Sequence, residues 1–260
     1  MNQNVYFIAD IHLHLNDSQE EKVKRERLFA FLAEVQRHKG SLYILGDMFD
    51  FWFEYRYVIP SVFFPVLCQL RETVLAGCEV HFLGGNHDYW AGQFFTDVLG
   101  ITVHYKPIDT IIAGKSFHLT HADGILHNDR GYRLMRFFFR NKTIIRLFRY
   151  LHPDCAIRLA THLSGRSRRL TLRSPAQEES DRQEIIAYGK KKLEAGAEYV
   201  ITGHLHLPTE YHTERGVVVN LGDWMKYYSF AFFDGKSLRL CYWPLSTSDS
   251  TGKKSEFLLD

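Results

Sequence analysis

The chain has little with which to build disulfides or thiolate metal sites. Its four cysteines, Cys68, Cys78, Cys155 and Cys241, lie far apart and form no Cys-x-x-Cys pair. That pattern fits buried free thiols in a reducing compartment. Long apolar runs are also missing: no stretch reaches the ~18–20 residues that span a bilayer. The opening "MNQNVYFIADIHLHL" has no basic segment followed by an apolar one, so it predicts no signal peptide. A strong net charge is absent too, with 32 Lys and Arg against 30 Asp and Glu, and bulk charge therefore names no partner. Together these absences predict a cytoplasmic protein and leave open binding to a membrane from the side. What is present is ordinary for a globular chain. The 260 residues, 45% hydrophobic and 24% charged, suffice for a full core in one large domain or two small ones.

Three short apolar runs, "VYFIA" (5–9), "LYIL" (42–45) and "EVHFL" (79–83), read as buried strands. Between them, residues 20–38 carry Leu28, Phe31, Leu32 and Val35 at helical spacing, and 61–76 also reads as helix. This alternation predicts an α/β layered domain with a parallel core. A short helix is expected near 92–99. "TIIAGKSFHLTHA" (110–122) reads as two strands joined by an Ala-Gly-Lys turn. Strands return from "EYVIT" (198–202) to "YYSFAFFDGKSLRLCYW", with a turn at Asp234-Gly235. The expected division is a core of 1–125 and 196–245, an inserted helical cap over 126–195 and a loose tail over 246–260. From Leu126 to Ser174 there are twelve Lys and Arg against two Asp, around "LMRFFFRNKTIIRLFRYL" (134–151). Such a segment either packs its apolar face on the core and solvates its arginines, or meets a lipid surface or an anionic amphiphile.

Each of several apolar runs ends in residues with lone pairs. They deliver Asp10 and His12, then Asp47, then Asn86, His87 and Asp88, then His121, then His204 and His206. In open α/β sheets ligands sit outside the carboxyl ends of the strands. Imidazole, carboxylate and amide oxygen without sulfur suit Mn²⁺, Fe²⁺, Zn²⁺ or Co²⁺. Seven ligands (Asp10, His12, Asp47, Asn86, His121, His204 and His206) are too many for one ordinary site and right for two that share a carboxylate. Two metals roughly 3.5–4 Å apart clamp a phosphoryl oxygen and activate water.

In this order the motifs Asp10-x-His12, Gly46-Asp47, Gly85-Asn86-His87-Asp88, His121 and Gly203-His204-x-His206 resemble those of the calcineurin-like metallophosphoesterases. The resemblance implies a four-layer sandwich of two mixed sheets flanked by helices, with a helical cap inserted. One of two divalent ions, most often Mn²⁺, would be held by Asp10, His12, Asp47 and His206. The other would be held by Asp47, Asn86, His121 and His204, with Asp47 bridging. His87 would protonate the leaving oxygen or bind the phosphate, and Asp88 would hold its ring.

A narrower resemblance is carried by "LYILGDMFDFWFE" (42–54), "HADGILHNDRGYRLMR" (121–136) and "VNLGDW" (219–224). These are similar to segments of the UDP-2,3-diacylglucosamine pyrophosphatases of lipid A synthesis. The implied reaction is attack of a dimetal-activated water on the pyrophosphate, giving UMP and 2,3-diacylglucosamine 1-phosphate (lipid X). Asn86, Asp129, Tyr132, His204 and the arginines Arg166, Arg168 and Arg169 are the implied substrate contacts, with the cap over the acyl chains. Asp129 and Tyr132, three apart, share a helix face and equally suit a helix cap and a packing tyrosine. Phe51, Trp52 and Phe53 suit either core or an apolar mouth. The implied location is the cytoplasm, at the inner face of the inner membrane, with no nucleic-acid partner. His87 departs from well-known proteobacterial members, which carry Arg there, and matches the generic phosphoesterase pattern. The alternatives are a phosphoesterase for another diester, nucleotide or nucleotide sugar, a nuclease, and a non-catalytic scaffold.

Overall fold

A computed structural model describes residues 4–126, 141–170 and 174–243. Among them, eleven strands form two mixed sheets. The first has the order β11-β10-β1-β2-β3-β4, the second β5-β6-β7-β9-β8. In the first sheet β1 (Val5–Ile8), β2 (Ser41–Ile44), β3 (Val80–Leu83) and β4 (Thr102–His104) run parallel. β10 (Ser229–Phe233) joins β1 antiparallel, and β11 (Leu238–Tyr242) joins β10. In the second, β6 (Lys115–Thr120), β7 (Tyr199–Thr202) and β9 (Gly216–Asn220) are parallel, and β5 (Ile108–Ile112) and β8 (Thr209–Thr213) close the edges antiparallel.

The strand run 5–8 is apolar throughout because both its faces are covered. Val5 and Phe7 point between the sheets, where Phe7 stacks on Tyr43 and Phe117. Tyr6 and Ile8 point the other way, as the two-residue period of a strand requires. That outer face lies under α1 (Gln19–Arg37) and α2 (Phe64–Leu75). The side chain of Ser18 caps α1 by accepting from the Glu21 N–H, and Glu20 and Glu21 sit in its first turn, both favourable at the positive end of a helix. Leu28, Phe31, Leu32 and Val35 are its buried stripe. The two-residue turn of the 108–120 hairpin is Ala113-Gly114, both left-handed, which matches strand twist. The helix expected near 92–99 is a single π-helical turn, Phe94–Val98.

Among the described residues three more helices follow β6: α3 (Lys142–Phe148), α4 (Pro153–Leu170) and α5 (Pro175–Glu194). The expected cap of 126–195 is too wide at its C-terminal end. α5 packs on β7 and β9 as the outer layer of the second sheet, burying Ile185, Ile186 and Leu193. It begins with a capping box between Ser174 and Gln177. The layers are thus α1 and α2, the first sheet, the second sheet and α5. α3 is seated by Phe148, whose ring contacts Phe51, Phe53 and Trp90 at 4.8–6.2 Å. The expected burial of all four thiols needs a second correction: Cys78 and Cys241 are buried, Cys68 and Cys155 exposed. The tail over 246–260 lies outside the described residues.

Gly189 shows how closely α5 sits on the sheet. A Cβ there would run into the methyl groups of Val218. Ala ordinarily gains ~1 kcal/mol over Gly within a helix, but overpacking costs about 1–3 kcal/mol. Gly189→Ala is therefore expected to lower the urea midpoint rather than raise it.

On the face between the sheets, Nδ1 of His81 lies 3.2 Å from Nε2 of His104, and Tyr43 stacks on His81 at 4.3 Å. Burial holds both imidazoles below their ordinary value; for His81 the charge of His104 adds to this and Glu79 opposes it. The unfolded chain therefore binds more protons below its own pKa of about 6.5. The stability from this pair is complete above that pH and is lost as pH falls toward the folded values. Urea midpoints measured at pH 8 and pH 5.5 should differ less in His81→Phe than in the parent.

Candidate metal centre

The residues that end the strands converge on one rim. The loop after β1 supplies Asp10 and His12, that after β2 Asp47 and Asp50, and that after β3 Asn86, His87 and Asp88. His121 follows β6, His204 and His206 follow β7, and Asp223 follows β9. Five of these residues hold a left-handed backbone: Asp10 (φ 54°), His12 (44°), Asp47 (52°), His204 (73°) and His206 (58°). Such a conformation is uncommon outside glycine and costs about 1–3 kcal/mol where the surroundings enforce it.

Here the surroundings do enforce it. The amides of Asp10 and His12 donate to the carbonyls of Gly46 and Asp47 at 3.1 and 2.9 Å, zipping the first two loops together. The amide of His204 donates to Oδ2 of Asp10 at 2.7 Å, and that of Trp224 to the Asp10 carbonyl at 3.1 Å. Glycine is required where these loops touch. A Cβ on Gly46 would lie 2.6 Å from Nδ1 of His121, and one on Gly85 would overlap the Asp47 carboxylate.

The donor atoms fall into overlapping sets. Asp10, His12 and His206 bring one atom each within 4.8 Å of the others, and so do Asp47, His121 and His204. Asp47 stands between them, with Oδ2 3.7 Å from Nε2 of His12 and 3.3 Å from Nε2 of His121. Oδ1 of Asn86 is 3.1 Å from the same His121 nitrogen. Asp10 Oδ1 lies 3.8 and 3.7 Å from Nε2 of His12 and of His206. All seven residues expected as ligands are thus brought together. His87 is added to them: with His12 and Asp47 it forms a third set of the same span, although the expected role was to protonate the leaving oxygen or bind the phosphate rather than to hold a metal.

This donor set fits divalent cations. Asp10 Oδ1 and both ring nitrogens of His12 are buried without a hydrogen-bond partner, which costs energy unless something else satisfies them. Charge points the same way. Burial holds the His12 imidazole down, at about 4. For His121 burial works in the same direction but the Asp47 carboxylate wins, pushing it up to about 10. Burial likewise opposes protonation of His206, and Asp10 and Asp223 overcome it. Burial would raise the Asp47 carboxyl, yet His121, His87 and His12 hold it well below the usual range. The buried carboxylates draw protons onto their neighbours where no cation balances them.

Surrounding groups fix the ring orientations. Nδ1 of His121 donates to the Leu45 carbonyl at 2.8 Å, leaving Nε2 toward Asp47. Asp223 Oδ1 accepts from the amides of Met225, Lys226 and Tyr227, and its Oδ2 lies 3.5 Å from Nδ1 of His206. A carboxylate behind an imidazole is the usual support for a metal-binding histidine. The backbone of His12 is held from α1, where the buried Lys24 donates to its carbonyl at 2.8 Å and to Glu21 at 2.6 Å. Sequence gave no sign of this pair, because Glu21 and Lys24 look like solvated helix residues.

The role expected for Asp88 needs correction. It does not hold the His87 ring. Its carboxylate accepts from four backbone amides, those of Gly85, Asp47, Met48 and Phe49, at 2.7–3.3 Å. The ring of His87 is held instead by Asp50, whose carbonyl accepts from Nδ1 at 2.7 Å. An aspartate three residues past a glycine is well placed to tie a loop, and the apposition of the 47–49 loop makes that tie tertiary. Trp52 is core, packed on Phe49 and Phe95, while Phe51 and Phe53 form the seat of α3. Asp129 and Tyr132 lie outside the described residues. Arg166, Arg168 and Arg169 fall on α4, and their side chains lie outside that description.

Two mixed sheets that gather imidazoles and carboxylates at their strand ends form the framework of a metal-dependent hydrolase. The calcineurin-like phosphoesterase family matches residues 4–208, and the chain belongs to that family. It is 34% identical over 256 residues to the UDP-2,3-diacylglucosamine hydrolase of Porphyromonas gingivalis, over 92% of this chain and 97% of that protein. Proteins of the same name from Pseudomonas putida and Neisseria meningitidis are each 30% identical over 229 residues. The first match covers 85% of this chain and 90% of the relative, the second 86% and 91%.

Burial, with the Asp47 charge adding to it, pushes the Asp88 carboxyl up to about 7, so its four amide bonds offset a large desolvation cost. Asp88→Asn leaves the shape but replaces one acceptor oxygen by an NH₂ facing N–H groups. A loss of about 1.5–3 kcal/mol in unfolding free energy is expected. Metal content by elemental analysis should fall with it, because the 47–49 loop carries Asp47.

Proposed function

We propose that this chain hydrolyses the pyrophosphate of UDP-2,3-diacylglucosamine to UMP and 2,3-diacylglucosamine 1-phosphate. The observation that carries the reading is the near end-to-end match to a protein named for hydrolysis of that substrate, 97% of whose length is covered. A match of that extent includes the segment between β6 and α5, which a phosphoesterase core alone does not require.

In this reading Asp10, His12, Asp47 and His206 hold one divalent ion, and Asp47, Asn86, His121 and His204 hold the other. Mn²⁺ is the proposed metal, on the oxygen and imidazole donors. Bound there, the pair of ions would supply Lewis-acid stabilisation of charge on a phosphoryl oxygen and lower the pKa of water. The chain's own contribution is orientation and proton transfer. With Nδ1–H donated to the Asp50 carbonyl, His87 turns Nε2 toward the rim beside His12, whose ring it meets edge-on at 4.8 Å. From there it binds the phosphate or gives a proton to the leaving oxygen. Asp129, Tyr132, Arg166, Arg168 and Arg169 are proposed to contact the substrate.

The acyl chains are assigned to the apolar side where Phe148 meets Phe51, Phe53 and Trp90. Leu147, Tyr150 and Leu151 are exposed on the same segment beside Arg146 and Arg149, a combination suited to an anionic lipid surface. A peripheral place on the inner face of the cytoplasmic membrane follows. Among the described residues no helix is long and apolar enough to cross a membrane.

The test is incubation of Mn²⁺-loaded protein with UDP-2,3-diacylglucosamine and, separately, with UDP-N-acetylglucosamine. UMP release from the acylated substrate alone is expected. Turnover of a simple diester such as bis-p-nitrophenyl phosphate, with none of the lipid, would overturn the reading. His87→Ala should lower kcat by about 10²–10⁴ while two metals per chain remain. Loss of one metal would make His87 a ligand instead.

A further inference from the structure

A half-open cavity of about 110 Å³ adjoins the metal centre at His121. Its other walls include Gly84, Tyr105, Lys106, Asp123 and Tyr188. It shares none of the residues that seat α3. A closed cavity of roughly 150 Å³ accommodates benzene; this one is smaller and open on one side, so it can seat the edge of a ring and is too small to enclose an acyl chain.

Its chemistry is directional. The imidazole of His118 is buried between two partners, with Nδ1 2.6 Å from the Asp109 carboxylate and Nε2 2.8 Å from the Tyr188 hydroxyl. The carboxylate can only accept, so Nδ1 carries the proton and Nε2 accepts from Tyr188. Burial, the largest influence on His118, lowers its pKa and favours this neutral form. Tyr188 has then spent its proton on His118, and its oxygen faces other groups as an acceptor. The carboxylate of Asp123, 8% exposed, is a second acceptor. Lys106, exposed at the wall, is a donor. The Tyr105 hydroxyl is committed to the Ala91 carbonyl at 2.5 Å, so its ring is anchored.

We infer that this cavity is a nucleobase subsite that takes the uracil ring of the substrate, with the diphosphate lying across the metal centre. A uracil edge presents carbonyl, N–H and carbonyl in order. The imide N–H suits Asp123 or Tyr188, and the flanking carbonyl suits Lys106. Cytosine replaces that N–H by a lone pair and meets the two acceptors with an acceptor. The inference rests on the substrate proposed above and adds which half of it lies where. The base goes to the wall formed by β6 and α5, the lipid to the aromatic seat of α3.

The experiment is calorimetric titration of Mn²⁺-loaded protein with UMP, CMP and 2,3-diacylglucosamine 1-phosphate. The proteins are the parent, Lys106→Ala and Tyr188→Phe, with hydrolysis of UDP-2,3-diacylglucosamine followed in parallel. Lys106 is exposed and its replacement does not disturb the fold; Tyr188→Phe keeps the ring. Each variant should bind UMP about tenfold more weakly, the scale of one hydrogen bond to a charged or buried group. Affinity for the lipid product should change less than twofold, and the parent should prefer UMP to CMP. Unchanged UMP affinity in both variants, or equal weakening toward UMP and the lipid product, overturns the subsite. If the parent hydrolyses no UDP-2,3-diacylglucosamine but its UMP affinity depends on Lys106, the substrate reading fails and the subsite stands. Hydrolysis with UMP affinity independent of both residues is the reverse.

Discussion

Buried negative charge at the seam of two sheets is the constraint from which the rest of the centre follows. Asp10, Asp47 and Asp88 are at most 1% exposed, and a carboxylate taken out of water must be balanced by donors or by a cation. The three are balanced differently. Asp88 takes four amides and closes the loops after β2 and β3 on each other. Asp10 divides its oxygens, one receiving the His204 amide and the other left toward His12 and His206. Asp47 receives the amide of His87 through Oδ1 at 2.9 Å and turns Oδ2 to the imidazoles. In Asp10 and Asp47, backbone amides thus neutralise the half of the carboxylate that faces the protein. The half that faces the rim is left for a metal.

The same loops explain why glycines punctuate the strand ends. The loops after β1, β2 and β3 cross one another within van der Waals distance, so the residues of the rim are not carried by independent turns. They are one interlocked layer, and strain at any left-handed residue is resisted by the loop beside it. Lys24 and Glu21 extend this layer into α1, and Asp223 extends it to the last strands of the second sheet.

How far the sequence could be read follows from where the signals are local. Apolar runs of four or five residues ending at Asp10, Gly46 and Gly84 identified β1, β2 and β3, because strand burial on two faces leaves that mark in any one sequence. The convergence of Asp10, His12, Asp47, Asn86, His121, His204 and His206 on one rim was legible for the same reason: each stands a few residues past a run. Asp50 and Asp223 act through residues distant in sequence, and nothing near them showed which imidazole they would support. Asp88 was misjudged because adjacency to His87 suggested contact, whereas the left-handed turns send the two side chains to different loops. The boundary of the cap was misplaced because α5 has a polar surface and a narrow buried face. Its packing on the core is set by contacts such as that of Gly189 with Val218, which are not local in sequence.

Strand order has a consequence for how the chain is made. β1 leaves the ribosome first, with Asp10 and His12, and it can pair at once with β2. Its other neighbour is β10, and the supports at His204, His206 and Asp223 come from the far end of the chain. At about 5–20 residues per second, the interval between Asp10 and Asp223 is on the order of 10–40 s. Through that interval the growing chain carries the first carboxylates and imidazoles without the strands that enclose them. Metal capture in the finished geometry is therefore a late event, timed by the arrival of the last strands.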